Sequence, residues 1–329
     1  MNTLLLSTDV LDLARASDIL RSGGLVAIPT ETVYGLGANA LDKEACLRIF
    51  EAKGRPSDNP LIVHIAKVEQ LDGIVSEVNE NAKKLMKAFW PGPLTIVMKK
   101  ADKIPFEVSA GLDTVAVRMP SHRIAHKLLE MCNIPVAAPS ANTSGKPSPT
   151  SANHVFEDMN GKIDAIVDGG SCEVGLESTV IDVTEDIPKL LRPGGVTYEQ
   201  LCDVLGNVIK NYEFKDGEVP KSPGVKYKHY APKADVFIVK QSIEKHINDV
   251  FEKYNKIGVL CHNEYSLPNN CIVKNMGNNA QEYANTLFSH LREFDKENVD
   301  IIFAEDIDDK GINLAVSNRL YKAAGYKFI

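Results

Sequence analysis

The chain has 329 residues and a net charge of −7, with 44% hydrophobic and 25% charged residues. This length predicts two domains, and the composition is typical of a soluble globular protein. The acidic balance argues against a protein that coats nucleic acid or an anionic membrane through bulk electrostatics, although it leaves room for a local basic groove.

The cysteines and the N-terminal residues bear on the cell compartment. The six cysteines, at positions 46, 132, 172, 202, 261 and 271, lie in apolar segments without a C-x-x-C pair, which predicts buried free thiols and a reducing compartment. The N-terminus lacks the basic region and the apolar core of a secretory signal, and no run reaches the roughly 20 apolar residues of a membrane span. We therefore expect a cytoplasmic protein.

Residues 1–206 alternate irregularly between predicted helices and strands. Apolar spacing predicts an amphipathic helix over 9–22, and Asp42 is the expected N-cap of a helix over 42–52. Between them, the buried strand GLVAIP leads into a predicted loop, TETVYGLGA. The elements that follow are strands LIVHI, LTIVMK, VAVRM, IPVAA, AIVDG, STVIDV and KLLRPG, and helices over 79–90, 121–132 and 197–205. This irregular order predicts an α/β domain with a mixed sheet.

The pattern changes after residue 206. The stretch KDGEVPKSPGVKYKHYAPKA is rich in proline, glycine and lysine, and we place a linker at 207–233. Beyond it, strands and helices alternate as β-α-β-α-β-α, which predicts a small parallel sheet of Rossmann-like type over 234–329. No G-x-G-x-x-G motif supports a dinucleotide site there.

Two cations lie on a stiffened turn in the segment KGRPSDNPLIVHI. Lys53 and Arg55 follow the predicted helix, Gly54 permits close approach of the backbone to a ligand, and two prolines limit the shapes of the loop. A stiff loop with two cations suits an oxyanion or a polyphosphate, because little ordering is lost on binding. Solvated cations that complement the helix macrodipole are the alternative, and this segment alone favours that alternative.

Three further segments place polar groups at strand ends. In IPVAAPSANTSGKPSPT a strand runs into hydroxyls, an amide and prolines, which suits a phosphate cradle and an ordinary surface turn equally well. PTETVYGLG offers hydroxyls beside two glycines, and in isolation it favours a structural turn. Arg192, in LRPGG, ends a strand where it can meet an anion or solvent.

Other familiar signatures are missing from the sequence. His64 lies inside an apolar strand, where a hydrogen-bonded core histidine is the more frequent outcome. The eight histidines show neither H-x-x-x-H nor H-E-x-x-H, so no structural metal site is predicted. There is no G-x-S-x-G nucleophile elbow.

Taken together, the motifs KGRPSDNP, PTETVYGLG, PSANTSGKPSPT, ESTVID and LRPGG resemble the YrdC/Sua5 family, the L-threonylcarbamoyladenylate synthases. The K-x-R and S-x-N pairs of that family are present as Lys53–Arg55 and Ser140–Asn142. The C-terminal part, entered through SPGVKYKHYAP, is similar to the extra domain of the longer Sua5 form. The resemblance implies an α/β YrdC-like catalytic domain with a twisted mixed sheet, followed by a small Rossmann-like Sua5 domain, at the ranges given above.

The resemblance also implies a nucleotidyltransferase reaction that begins the N6-threonylcarbamoyladenosine modification of tRNA. The amine of L-threonine takes up bicarbonate, and the resulting carboxylate attacks the α-phosphorus of ATP and releases pyrophosphate. Both reactants are anions, so catalysis depends on charge neutralisation and in-line geometry. We expect Lys53 and Arg55 to be the catalytic cations, helped by Mg²⁺ held mainly through the ATP phosphates. A downstream threonylcarbamoyl transferase and tRNA are further implied partners.

The binding positions of the family map onto this sequence in two groups. The residues expected to contact ATP are Arg55, Asn59, Thr114, Ser140, Asn142, Ser148, Arg192 and Tyr230. The residues expected to contact threonine are Thr32, His64, Arg118, Ala138 and Ser178. Arg118 suits a bidentate grip on the amino-acid carboxylate. Tyr230 would reach over the site from the linker, which then acts as a lid that keeps water from the labile carbamate.

Two other functions stay open on the sequence alone. One is an RNA-binding module without chemistry, which the lysine-rich linker favours and the net charge disfavours. Binding with a steep salt dependence and no ATP turnover would indicate it. The other is a carbamoyl transferase that uses the same site for a different acceptor, which ATP consumption independent of threonine would indicate.

Overall fold

A computed structural model describes residues 2–210 and 229–329, so most of the predicted linker, residues 211–228, lies outside the described residues. The described chain divides into two compact units. The first contains residues 2–144 and 148–210, and the second contains residues 145–147 and 229–329. None of the described helices is long and apolar enough to cross a bilayer.

The first unit is built on an eleven-stranded mixed sheet. Its strands are β1 (Leu4–Leu6), β2 (Val26–Ile28), β3 (Gly35–Asn39), β4 (Ile62–His64), β5 (Leu94–Lys99), β6 (Thr114–Arg118), β7 (Val136–Ala137), β8 (Ala165–Val167), β9 (Thr179–Asp182), β10 (Lys189–Arg192) and β11 (Ile209–Lys210). Its helices are α1 (Val10–Arg21), α2 (Lys43–Lys53), α3 (Glu80–Phe89), α4 (Phe106–Ser109), α5 (Arg123–Cys132), α6 (Ala152–Met159) and α7 (Tyr198–Leu205). The strand order is β1-β8-β2-β3-β7-β4-β6-β5-β9-β10-β11. The predicted α/β class with a mixed sheet is confirmed.

Local capping explains where α2 begins and ends. The Asp42 side chain accepts hydrogen bonds from the backbone N–H groups of Glu44 and Ala45, as its N-cap prediction requires. Gly54 ends the helix in the left-handed conformation, at φ +60°, which a residue with a side chain adopts only with strain. These two signals make Lys53 the last helical residue.

The prediction of a loop over TETVYGLGA is wrong in its second half. Residues 35–39 form β3, which pairs antiparallel with both β2 and β7. A Cβ atom on Gly37 would lie 3.0 Å from Cγ1 of Val136 and 3.1 Å from the carbonyl oxygen of Val26. The glycine that suggested a turn therefore serves close packing of neighbouring strands.

The register of the central strands brings polar side chains together. His64 in β4 is the partner of Arg118 in the parallel β4–β6 pair. Arg118 is also the partner of Thr95 in the antiparallel β5–β6 pair. His64 pairs on its other side with Val136 of β7. Neighbouring strand ends thus place a histidine, an arginine and a threonine side by side.

The second unit is a four-stranded parallel sheet with order β12-β15-β13-β14. Its strands are β12 (Asp235–Val239), β13 (Ile257–Cys261), β14 (Cys271–Asn275) and β15 (Ile301–Glu305), and its helices are α8 (Ile243–Val250), α9 (Ala280–Glu297) and α10 (Asn313–Ala324). The predicted Rossmann-like arrangement is confirmed, with β14 as a strand that the sequence pattern missed. This strand lies at the sheet edge and is only partly buried, which explains its weak apolar signal.

Candidate active site

Arg118 is the centre of the predicted threonine group. It ends β6, and its side chain is only 4% exposed. Its Nη1 donates a hydrogen bond to Oγ1 of Thr32 at 2.8 Å, and its Nε donates to the carbonyl oxygen of Gly92 at 3.3 Å. Its Nη2 lies 2.7 Å from Oε1 of Glu31, in a buried ion pair. The guanidinium is therefore held in one orientation by two segments of the chain, the turn that contains Glu31 and Thr32 and the loop at Gly92.

Neighbouring residues fix which hydrogen bonds the Thr32 hydroxyl donates and which it accepts. Thr30 donates its hydroxyl proton to the carbonyl oxygen of Val33 at 2.6 Å. The 2.8 Å hydrogen bond between the two threonine hydroxyls must then run from Thr32 to Thr30, since each hydroxyl has one proton. Because Thr32 also accepts from Arg118, the remaining capacity of its oxygen is that of an acceptor. A ligand that meets Thr32 must offer a donor.

A second arginine joins this group through Ser178. Arg192, at the end of β10, donates from Nε and Nη2 to the carbonyl oxygen of Ser178 at 3.1 and 2.9 Å, and from Nη2 to its Oγ at 3.1 Å. The Ser178 hydroxyl lies 2.8 Å from Oγ1 of Thr95, the strand partner of Arg118. The structure thus connects one residue predicted for threonine with one predicted for ATP.

The two hallmark motifs meet at the end of α2. Lys53 is 2% exposed, and its Nζ donates to the carbonyl oxygens of Ser140 and Asn142 at 2.5 and 2.6 Å. The Ser140 hydroxyl donates to Oδ1 of Asn142 at 2.6 Å. Lys53 therefore fixes the backbone of the S-x-N loop. Its contact with a triphosphate stays a prediction.

The other cation of the turn, Arg55, contacts the backbone of a residue whose side-chain amide is buried. Nη2 of Arg55 donates to the carbonyl oxygen of Asn59 at 3.1 Å. The Asn59 side chain is fully buried, and among the described residues neither its Oδ1 nor its Nδ2 has a hydrogen-bond partner. A buried amide left without any partner costs about 1–3 kcal/mol. The contacts of Arg55 and Asn59 with ATP stay predictions.

The remaining predicted residues of the first unit make contacts of their own. Ser148 is buried and donates to Oε1 of Glu177 at 2.5 Å. The backbone N–H of Ala138 donates to the carbonyl oxygen of Ile62 at 2.8 Å. Thr114 begins β6, so the strand places it about 13 Å from the end where Arg118 lies. Thr114 is therefore not part of the Arg118 cluster, and its contact with ATP stays a prediction.

Tyr230 lies in the second unit, where it is buried and its ring stacks on that of Phe288 with a centroid distance of 5.1 Å. Its φ of +64° is uncommon for a residue other than glycine, and such conformations gather at functional sites. The guanidinium of Arg319 lies 5.9 Å from the ring centroid. The predicted contact of Tyr230 with the nucleotide, and the lid role of the linker, stay predictions.

His64 is buried beside Arg118 and is held in its neutral form. Burial, and then the nearby charge of Arg118, lower the pKa of His64 from an ordinary value near 6.5 to about 3. Its Nδ1 lies 3.2 Å from the carbonyl oxygen of Ile62. A neutral imidazole at this position presents no positive charge to compete with the guanidinium for a carboxylate.

This neutral histidine predicts a loss of stability in mild acid. Below about pH 6.5 the unfolded chain binds a proton at His64 that the folded protein does not bind until about pH 3. The free energy of unfolding should therefore fall with pH in this window, by at most about 1.4 kcal/mol per pH unit for this group. Urea unfolding of the wild type and of His64→Gln, at several pH values between these limits, measures the difference. Identical pH slopes would contradict a buried neutral His64.

Three residues of this region were missed at the sequence level. Glu31 stands between two threonines of PTETVYGLG, and Glu177 directly precedes Ser178, so a carboxylate inside a hydroxyl-rich strand end was the available signal. Thr95 gave no signal, because only the strand register brings it to Ser178.

Within the part of the chain that the structure describes, no group of three or more His, Cys, Asp or Glu side chains is arranged to hold a metal ion.

Comparison with known proteins agrees with this geometry. The family model Sua5_yciO_yrdC, described as telomere recombination, matches residues 18–194. A second model, described as the C-terminal domain of threonylcarbamoyl-AMP synthase, matches residues 196–325. The chain belongs to the Sua5/YrdC family and has the longer, two-domain form.

Similar proteins cover nearly the whole chain. A threonylcarbamoyl-AMP synthase of Pyrococcus abyssi is 51% identical over 323 residues, which are 95% of this chain and 94% of that protein. A threonylcarbamoyl-AMP synthase of Bacillus subtilis is 49% identical over 336 residues, covering 98% of this chain and 96% of that protein. The crystal structure of P. abyssi Sua5 complexed with L-threonine superposes with a TM-score of 0.94 at 48% identity, covering 100% of this chain and 99% of that chain.

Proposed function

We propose that this chain is an enzyme that makes threonylcarbamoyl-AMP from L-threonine, bicarbonate and ATP, with release of pyrophosphate, and is therefore a nucleotidyltransferase. Its relatives over nearly the full length carry the name of this activity, and one of them was solved with L-threonine. The product would be consumed by a threonylcarbamoyl transferase that acts on tRNA. Such a place in tRNA modification fits a cytoplasmic enzyme.

The observation that carries this proposal is a set of buried cations in one unit of an acidic protein. Lys53, Arg118 and Arg192 are at most 4% exposed, although the chain has a net charge of −7. Each is oriented by hydrogen bonds to carbonyl or hydroxyl oxygens at strand ends. Cations that are oriented before substrate arrives stabilise developing negative charge without reorganisation, which suits a reaction between two anions.

The reaction divides into two balanced steps. The threonine nitrogen bonds to the carbon of bicarbonate and water leaves, which gives the N-carboxy-threonine. An oxygen of that new carboxylate then attacks the α-phosphorus of ATP, and pyrophosphate leaves with the electron pair of the broken P–O bond. Mg²⁺ bound to the triphosphate would neutralise part of the negative charge on its phosphate oxygens.

The residues of the first unit have distinct expected roles in these steps. Arg118 holds the α-carboxylate of threonine, and Thr32 accepts a hydrogen bond from a donor of the same substrate. Arg55 and Asn59 bind the nucleotide, and Lys53 keeps the Ser140–Asn142 loop in place beside it. Ser178 links the two halves of the site through its contact with Arg192.

Pyrophosphate release in the presence of ATP and Mg²⁺ tests this proposal. We expect the release to require both L-threonine and bicarbonate, since neither alone forms the attacking carboxylate. Serine in place of threonine is an informative second substrate, because it tests whether the methyl group is recognised. ATP cleavage that proceeds at the same rate without threonine would contradict the proposal and favour another acceptor.

A further inference from the structure

Glu31 is a buried carboxylate that the reaction steps above do not use. It lies in the turn between β2 and β3 and is 3% exposed. Its Oε1 is 2.7 Å from Nη2 of Arg118, and the two side chains are equally buried, at 4% exposure each. Its own carbonyl oxygen accepts a hydrogen bond from the backbone N–H of Val174 at 2.7 Å, which fixes the turn.

The carboxylate is the strongest restraint on the guanidinium. The other two contacts of Arg118 run to neutral oxygens, on Thr32 and Gly92. All three contacts have the charged guanidinium on one side, but only the contact with Glu31 joins opposite charges, which attract strongly in a buried site. A guanidinium has five N–H groups, so these three contacts leave two for a ligand, the number that a bidentate carboxylate requires.

Glu31 remains ionised in this environment. Burial, the largest single influence, favours the protonated form, but the charge of Arg118 and hydrogen bonds to the carboxylate outweigh it and hold the pKa of Glu31 below its ordinary value. The ion pair compensates the charge of Arg118 before any substrate arrives. A threonine carboxylate then meets a guanidinium whose burial and orientation are already established.

We propose that Glu31 is a positioning residue of the amino-acid site, which orients Arg118 so that its two remaining N–H groups receive the threonine carboxylate. This inference rests on the proposed function, which assigns the carboxylate of threonine to Arg118. Two other roles make different predictions. A carboxylate that only competed with the substrate for Arg118 would weaken threonine binding, so its removal would tighten it. A carboxylate needed only for folding would affect every ligand alike.

The test compares two ligands, L-threonine and L-threoninamide, which differ in the carboxylate that Arg118 would bind. Isothermal titration of the full chain gives their dissociation constants in the wild type, in Glu31→Gln and in Glu31→Asp. We expect Glu31→Gln to weaken threonine by about tenfold or more and threoninamide by less than about twofold, so that the preference for threonine falls. Glu31→Asp keeps the negative charge, so its preference for threonine over threoninamide should lie between that of the wild type and that of Glu31→Gln.

The matched control is Asp164→Asn, which removes a carboxylate from another arginine of the same unit. Asp164 lies 3.0 Å from Arg48, away from the residues assigned to the reaction. This variant should keep the wild-type preference for threonine over threoninamide. The KM for ATP should change little in all variants, because Glu31 acts through the amino-acid site.

The possible results separate the inference from the proposed function. A wild type that binds no threonine overturns both. A wild type that binds threonine normally, with an unchanged preference or tighter threonine binding in Glu31→Gln, overturns the role of Glu31 alone. If Glu31→Gln does not fold, Glu31→Asp decides with the same two ligands, because a reduced preference supports the inference and an unchanged one overturns it.

Discussion

Replacing Lys53 with methionine is expected to lower kcat/KM for ATP in threonylcarbamoyl-AMP synthesis by about 100-fold or more. Methionine keeps much of the apolar stem but removes the ammonium that holds the carbonyl oxygens of Ser140 and Asn142. The S-x-N loop would then lose its fixed position, and the site would lose a buried positive charge. The measurement is steady-state pyrophosphate release at varied ATP.

The loss in Lys53→Met must be separated from unfolding. The carbonyl oxygen of Asn142 is buried, and leaving it without its donor costs about 1–3 kcal/mol. A lower melting temperature is therefore expected as well, and rates are compared well below it. Lys43→Met is the matched control, because Lys43 begins the same helix, with a side chain 60% exposed in an ion pair with Glu107. Near-normal turnover of Lys53→Met, or an equal loss in Lys43→Met, would contradict a specific role for Lys53.

Replacing Arg118 with lysine is expected to lower kcat/KM for threonine by about 100-fold, with little change in the KM for ATP. Lysine keeps the positive charge opposite Glu31, so the buried pair is not left with an isolated anion. It cannot reproduce the planar set of N–H groups that reaches Glu31, Thr32 and a substrate carboxylate together. The effect should therefore be confined to the amino-acid substrate.

Arg48→Lys is the control for this second prediction. Arg48 also pairs with a carboxylate, that of Asp164, and it also donates to a backbone carbonyl, that of Gly23. None of these residues belongs to the cluster around Arg118, so turnover should stay near that of the wild type. If Arg118→Lys raises the KM for ATP as strongly as that for threonine, Arg118 does not serve the amino-acid site selectively.

The sequence predicted the parts of the site that depend on local signals. The N-cap at Asp42 is a short-range feature and was predicted. Lys53 was placed just beyond the helix over 42–52, but it is the last helical residue, because Gly54 ends the helix one residue later than predicted. The strand that ends at Arg192 was also recognisable from its apolar run, and Arg192 lies at the end of β10. Arg118, at the end of β6, was implied only by the family resemblance. That the motif pairs K-x-R and S-x-N meet was implied only by the family resemblance.

Other features depend on contacts between distant segments, which periodicity does not contain. Thr95 joins Ser178 only because β5 lies between β6 and β9 in the sheet. Glu31 was passed over because a carboxylate in a turn is ordinarily solvated, and only the fold shows it buried against Arg118. β3 was taken for a loop because its glycines are read locally as turn residues, whereas strand packing determines their role here.

The central claim is that one site on the first unit joins threonine, bicarbonate and ATP. Mass spectrometry of the product formed with ¹³C-labelled bicarbonate tests this claim most directly. We predict an adenylate that contains threonine and carries the labelled carbon, and whose rate of formation falls strongly in Lys53→Met and Arg118→Lys. A threonyl adenylate without the label, or labelled product in undiminished amounts from both variants, would contradict the account.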